Sequence, residues 1–230
     1  VDDFSERRNL ALRAQRDAVA AWFEIHPRRL ASLPEDVVVT MAERLTGEGT
    51  LPGQIAELRS TAQRWETLAR TDALTGLANR RAAEERLAQE AERASRYDHA
   101  LTLVMADVDE FKAVNDDRGH RAGDMVLVEL GARLLRVVRA SDLVARWGGD
   151  EFVVICPETD ADAARMVADK LLRVGEEPIE ADGGALQCGI SVGWATLRGR
   201  DVEATRLVRS ADAALYRSKG TGRGRATGAS

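Results

Sequence analysis

The sequence predicts an α/β (α+β) protein, with a mixed central sheet covered by helices and an all-α segment in front of it. Three observations carry this. Short apolar, β-prone runs occur at Leu101–Val108, Leu143–Ala145, Phe152–Ile155 and Leu186–Trp194. Stretches with apolar residues at helical spacing lie before, between and after them. The resulting order is α-β-α-β-β-α-β-α, in which only the second and third strands are close enough in sequence to form a hairpin.

The first helix is expected from Phe4 to about His26, where Leu10, Ala14, Ala18, Trp22 and Ile25 recur on one face and Pro27 ends it. Ser32 followed by Pro34 marks a second helix start. Val38, Met41, Ala42 and Leu45 supply its apolar face, and Gly47 and Gly49 stop it. Residues 1–53 thus make a helical N-terminal segment with little core of its own. It is either a dimerisation region packed on a copy of itself or the remnant of a sensor domain. Gln54–Arg70 is a third helix, about 25 Å long at ~1.5 Å per residue. Ile55, Leu58, Ala62, Trp65 and Ala69 form a heptad-like seam, which suits either an amphipathic helix packed on its own domain or a parallel two-stranded stalk.

The main domain is expected over 71–230. Asp72–Arg80 is a turn-rich entry, and Asn79 is placed to cap a helix running to about Tyr97. A buried strand follows at Leu101–Val108, then a loop at Asp116, Asp117 and Gly119. The next helix runs from about Gly123 to Arg139, with Leu127, Leu130, Leu134 and Val137 inward. After the hairpin come a helix at Ala161–Val174, a strand at Leu186–Trp194 and a helix at Glu203–Arg217. The Gly-rich tail Gly220–Ser230 is expected to fray.

Composition narrows the function. The 230 residues are 44% hydrophobic and 31% charged, as in an ordinary soluble protein. No run reaches the length of a membrane span and no signal-peptide pattern opens the chain, so no membrane contact is expected from this segment. The sequence opens on Val1 rather than Met, and the expectation is that upstream residues were removed or never included. A net charge of −5 gives no reason to expect a nucleic acid as partner. Cys156 and Cys188 both lie in apolar runs, which suits buried thiols and a cytoplasmic setting.

The chemistry centres on Arg146-Trp147-Gly148-Gly149-Asp150-Glu151-Phe152. Gly148 and Gly149 permit left-handed turn angles and let a phosphate and a cation approach the backbone. Asp107 ends one strand and Asp150 sits at the turn of another. Two carboxylates from separate strand ends can hold Mg²⁺ when phosphates supply the remaining oxygens. Lys219 and Arg223, just after the last helix, could grip phosphates. Asp124 can accept from the N1–H and 2-amino group of guanine but has no match on adenine. Singly, each has a plainer role: Asp107 as a loop cap, Lys219 and Arg223 as a solvated basic tail, Asp124 as a helix-start acid.

Together, Asp72–Arg80, Asp107 to Asp116, Gly119-His120 with Gly123-Asp124, Gly148–Phe152 and Ala211–Tyr216 stand in the order and spacing of one family. The chain from about Thr71 to Arg223 strongly resembles a GGDEF-domain diguanylate cyclase. The resemblance implies a fold related to the palm of nucleotidyl cyclases and polymerases. It also implies condensation of two GTP into cyclic di-GMP with release of two pyrophosphates, by a homodimer holding one GTP per domain. It assigns Asp107, Asp150 and the Val108 carbonyl to a metal, Mg²⁺ or Mn²⁺ in its place. Gly148 and Gly149 fall at the α-phosphate. Glu151 serves either as a base or in placing the 3′-hydroxyl. Asn115 and Asp124 match the guanine pair, Phe111 and Lys112 meet the terminal phosphates, and Lys219 and Arg223 match the phosphate clamp. Arg139-Ala140-Ser141-Asp142 has the spacing of the family's product-binding site, where Arg139 and Asp142 would hold inhibitory cyclic di-GMP. A further arginine usually completes that site, and the sequence does not single it out. One departure stands out: the family's asparagine after the clamp arginine is Gly224 here. Three alternatives remain beside this one: a module that binds product without catalysis, a cyclase of altered base preference, and a scaffold whose function lies in the N-terminal helices.

Overall fold

The structure, a computed structural model, describes residues 34–45, 59–61, 67, 69–181 and 184–229. The expected helix from Phe4 to His26 lies outside them, as do Ser32 and the seam residues Ile55, Leu58, Ala62 and Trp65. The chain divides into two compact units, Val1–Arg70 and Thr71–Ser230. In the first, α1 spans Glu35–Leu45. The Pro34 carbonyl accepts from the Val37 and Val38 amides, and Glu35 and Asp36 place negative charge in the first turn, where the helix dipole favours it.

The second unit is a five-stranded sheet between two layers of helices. Its elements are α2 (Arg80–Tyr97), β1 (Ala100–Val108), α3 (Phe111–Arg118), α4 (His120–Val137), β2 (Leu143–Gly148), β3 (Glu151–Pro157) and α5 (Ala161–Glu176). A small hairpin of β4 (Ile179–Ala181) and β5 (Gly184–Leu186) follows, then β6 (Ile190–Arg198), a 3₁₀ turn at Gly199–Asp201, α6 (Ala204–Gly220) and β7 (Ala226–Gly228). The sheet order is β2-β3-β1-β6-β7, antiparallel except for the parallel β6–β7 pair. The mixed sheet expected from the sequence is therefore present.

β1 is central and buried along nearly its whole length because both faces are covered. Val104, Ala106 and Val108 join Leu127, Leu130 and Leu134 of α4 and Ala168 and Leu171 of α5 in one core. Leu101, Leu103 and Met105 join Leu87 and Ala91 of α2 and Leu207, Ala211 and Leu215 of α6 in the other. The two-residue period of a strand puts Asp107 next in this second series, on the α6 side of the sheet.

Four expectations need correction. The region around Asp116 and Asp117 is not a loop but the body of α3, a helix with no fully buried residue, whose Phe111 and Val114 are partly buried against the core and make too short a stripe to read. Gly119 separates α3 from α4 at φ 80, an angle open to glycine, and α4 starts at His120 and ends at Val137, short of Arg139. The strand expected at Leu186–Trp194 is two elements, the edge of the β4–β5 hairpin and β6, which runs on to Arg198. The tail does not fray through its length: Ala226–Gly228 pairs with Val192–Trp194, and the buried Ser218 hydroxyl donates to the carbonyls of Val192 and Arg225.

Candidate active site

The ends of β1 and β6 and the turn of the β2–β3 hairpin meet at one edge of the sheet. Asp107 stands opposite Glu151 on β3 and opposite Ser191 on β6. The Val108 amide donates to the Asp150 carbonyl at 3.3 Å, fixing the turn against the end of β1. Within the turn only Gly149 takes the left-handed angle, φ 52. No protein atom lies within 4 Å of where a Cβ would stand on Gly148 or Gly149, so the backbone there is open to a ligand.

Asp107 is 6% exposed, and the ammonium of Lys219 lies 2.6 Å from its carboxylate. Burial pushes the Asp107 carboxyl above its ordinary 3.8; the Lys219 hydrogen bond opposes this, and the charges of Asp150 and Asp109 add to the rise. Glu151 is likewise pushed above 4.5, first by burial and then by the charge of Asp107, with Lys219 opposing and Asp150 and Asp212 adding. Among the described residues no three acidic, His or Cys side chains form a ready metal cage. Two mutually repelling carboxylates of hard oxygen, one of them buried, nevertheless fit a divalent cation that takes its other oxygens from a backbone carbonyl and phosphates.

Lys219 lines a cleft of about 390 Å³ with Glu151, Asp212, Ala213 and Tyr216. Asp212 was named in the sequence only as part of a motif. Its spacing of seven residues from Lys219 puts both on one helix face, which was the available signal.

Phe111 and Lys112 open α3, where amides without helical partners and the dipole favour anions. Asn115 lies on the same helix. A Cβ on Gly123 would collide with the Asn115 amide oxygen and press on the Phe111 ring, so glycine at 123 is what lets α3 lie against the start of α4. Asn115 is thereby held against Gly123, the residue before Asp124 in α4. Asp124 lines a cleft of about 590 Å³ with Leu74, Arg121, Met125 and Val128. Arg133 walls off this side by donating to the Glu177 and Pro178 carbonyls and to Glu129.

The turn is also tied to the entry of the domain. Arg146 donates to both oxygens of Asp72 at 3.2 Å, and its Nε donates to the Gly149 carbonyl at 2.9 Å. Burial would raise the Asp72 carboxyl, but the Thr75 amide and hydroxyl and the Arg146 guanidinium together hold it below its ordinary 3.8. The Arg80 guanidinium stacks 4.7 Å from the Trp147 ring, beside Gly148. The sequence reading quoted Asp72 and Arg146 without linking them.

Arg223 lies beyond α6 in a turn with φ 53. Arg139 and Asp142 stand apart from this cluster, at the far end of β2. The six residues of β2 separate Asp142 from Gly149, roughly 20 Å at ~3.3 Å per residue. The four residues from Arg139 form a turn in which the Asp142 amide donates to the Arg139 carbonyl and the Asp142 carboxylate accepts from the Arg139 amide. Cys156 and Cys188 are free and buried, and burial pushes both thiols up. Among the described residues no helix is long and apolar enough to cross a membrane.

The chain is similar to several known proteins. Diguanylate cyclase DgcP of Pseudomonas aeruginosa is 34% identical over 217 residues, 94% of this chain but 32% of its own length. This chain therefore spans about a third of that relative. The GGDEF domain of TpbB (YfiN) from the same organism is 36% identical, with a TM-score of 0.66 over 70% of this chain and 94% of that one. The coiled coil and GGDEF domain of DgcB from Caulobacter crescentus, in complex with c-di-GMP, is 30% identical, with a TM-score of 0.71 over 77% of this chain and 95% of that one. The family described as diguanylate cyclase, GGDEF domain, matches residues 69–225, and the chain belongs to it.

Proposed function

We propose that this chain is a diguanylate cyclase that condenses two GTP into cyclic di-GMP and releases two pyrophosphates. The observation that carries the reading is the meeting of Asp107, Asp150 and Glu151 at an open Gly-Gly turn, with Lys219 among them.

Asp107, Asp150 and the Val108 carbonyl would hold a divalent cation, Mg²⁺ by preference, which when bound offsets phosphate charge and favours ionisation of the attacking hydroxyl. Asp124 accepts from the guanine N1–H and 2-amino group, and Asn115 adds an amide to the same base. The first amides of α3, the Lys112 ammonium and the Arg223 guanidinium orient the terminal phosphates. Lys219 is suited to both partners, since a phosphate held against Asp107 lies within reach of the same ammonium. Gly148 and Gly149 leave room at the α-phosphate. Glu151, holding a proton more readily than an ordinary glutamate, is suited to take the proton of the 3′-hydroxyl.

Each domain supplies one GTP, so the active unit is a homodimer in which each 3′-hydroxyl attacks the α-phosphorus of the other nucleotide. Gln54–Arg70 would act as the stalk that brings the two together. Residues 1–53 would supply dimerisation or input. Exposed Arg139 with Asp142 would bind cyclic di-GMP as an inhibitor, a reading supported by the motif spacing and by the ligand of the DgcB structure. Two free buried thiols suit a cytoplasmic enzyme. Chromatography of products after incubation with GTP and Mg²⁺, and separately with ATP, tests the reading. Cyclic di-GMP is expected from GTP alone, and a product from ATP at a similar rate would refute the base assignment.

A further inference from the structure

We propose that Asp109 is a positioning residue that sets Arg223 for the substrate's phosphates by fixing the turn in which Arg223 stands. This rests on the reading of Arg223 as a phosphate contact. Asp109 joins three segments. Its Oδ1 accepts from the Ser191 hydroxyl at 2.7 Å, its Oδ2 accepts from the Gly224 amide at 3.0 Å, and its own amide donates to the Gly189 carbonyl at 2.9 Å. The β1 end, the chain entering β6 and the turn after α6 are thus held by one residue.

The turn needs such a tie. Gly222, Arg223 and Gly224 have φ values of 119, 53 and 56. For Arg223 the left-handed region is unfavourable, and such a conformation persists only where its surroundings fix it. On one side the Arg223 amide donates to the Ser218 carbonyl at 3.2 Å, and on the other the Val192 amide donates to the Arg225 carbonyl at 2.9 Å. Between these two anchors the Gly224 amide is bound by Asp109, in a bond strengthened by the carboxylate charge. With both oxygens engaged by donors, Asp109 acts through Arg223.

A double-mutant cycle tests this. Calorimetric binding of a non-hydrolysable GTP analogue with Mg²⁺, and of GMP, is measured for the wild type, Asp109→Ala, Arg223→Ala and the double variant. Asp109→Ala is expected to weaken the triphosphate analogue roughly tenfold and to leave GMP unchanged. The double variant is expected to bind no more weakly than Arg223→Ala alone. Additive losses, or an equal loss for GMP, would overturn the proposal while leaving the clamp standing. Wild-type binding by Arg223→Ala would overturn the clamp reading and the proposal with it. Should circular dichroism show Asp109→Ala unfolded, Asp109→Asn, which keeps an acceptor oxygen but not the charge, runs the same cycle with a smaller expected loss: a loss for the triphosphate analogue that vanishes in the Arg223→Ala background supports the proposal, and no loss or an additive one overturns it.

Discussion

Glu151 is the side chain on which the proposed reaction and the fold make opposite demands. Burial and the charges of Asp107, Asp150 and Asp212 all disfavour its ionised form. Removing the charge should therefore stabilise the domain: Glu151→Gln is expected to have a higher urea midpoint than wild type at pH 7 while losing most of its turnover. A lower midpoint would mean that Glu151 holds the hairpin together. Gly123 tests the opposite case, a residue without chemistry on which a functional group depends. Gly123→Ala forces the Asn115 amide out of its place against the start of α4, and KM for GTP should rise by roughly ten- to a hundredfold, with weaker preference for guanine over adenine analogues. At this scale the meeting of Asp107 with Asp150 and Glu151 was legible, because each stands at the end of a strand or in the turn beside it. The Lys219–Asp107 pair was not, since the two residues lie at opposite ends of the domain sequence and only the packing of α6 beneath β1 brings them together. Asp109 was visible as an acid without its partners for the same reason.

The elements were legible where burial is one-sided or complete. α2, α5 and the core of α4 follow their apolar stripes, and β1 follows its unbroken apolar run. α3 and β7 were missed because neither advertises itself: α3 buries no residue fully, and β7 is a short segment whose hydrogen bonds come from β6. The connection between the domain entry and the hairpin is the element-level feature most open to test. Asp72→Asn leaves the half-buried Arg146 without its countercharge and loosens the Gly149 carbonyl. The expected loss is about 1–3 kcal/mol at pH 7, read from urea denaturation. The sign with pH follows from the lowered pKa: Asp72 contributes stability above its ordinary 3.8, and that contribution is lost as pH falls through the lower folded value. The variant should therefore lose less additional stability than wild type on acidification below pH 3.8. Parallel pH profiles would show that Asp72 is no partner of Arg146 in solution.

For the whole molecule, the proposed reaction requires two domains, and the chain carries a candidate means of joining them in Gln54–Arg70. Replacing Leu58 and Trp65 with Glu would put like charges across a paired seam. Such a variant is expected to sediment as a monomer and to bind one GTP analogue per chain, and its specific activity should rise with protein concentration. Unchanged specific activity on dilution would remove the stalk from the mechanism. The family was legible from several motifs in fixed order. What the N-terminal segment does was not, because apolar residues at helical spacing record that a face packs and not on what.

The most direct test is the stoichiometry of the reaction itself. Pyrophosphate and cyclic di-GMP are followed in one time course with GTP and Mg²⁺, for the wild type and for Asp150→Ala. Two pyrophosphates per cyclic di-GMP are expected from the wild type, with neither product from a cooperatively folded Asp150→Ala. Pyrophosphate without cyclic dinucleotide, or turnover that survives Asp150→Ala, would contradict the mechanism.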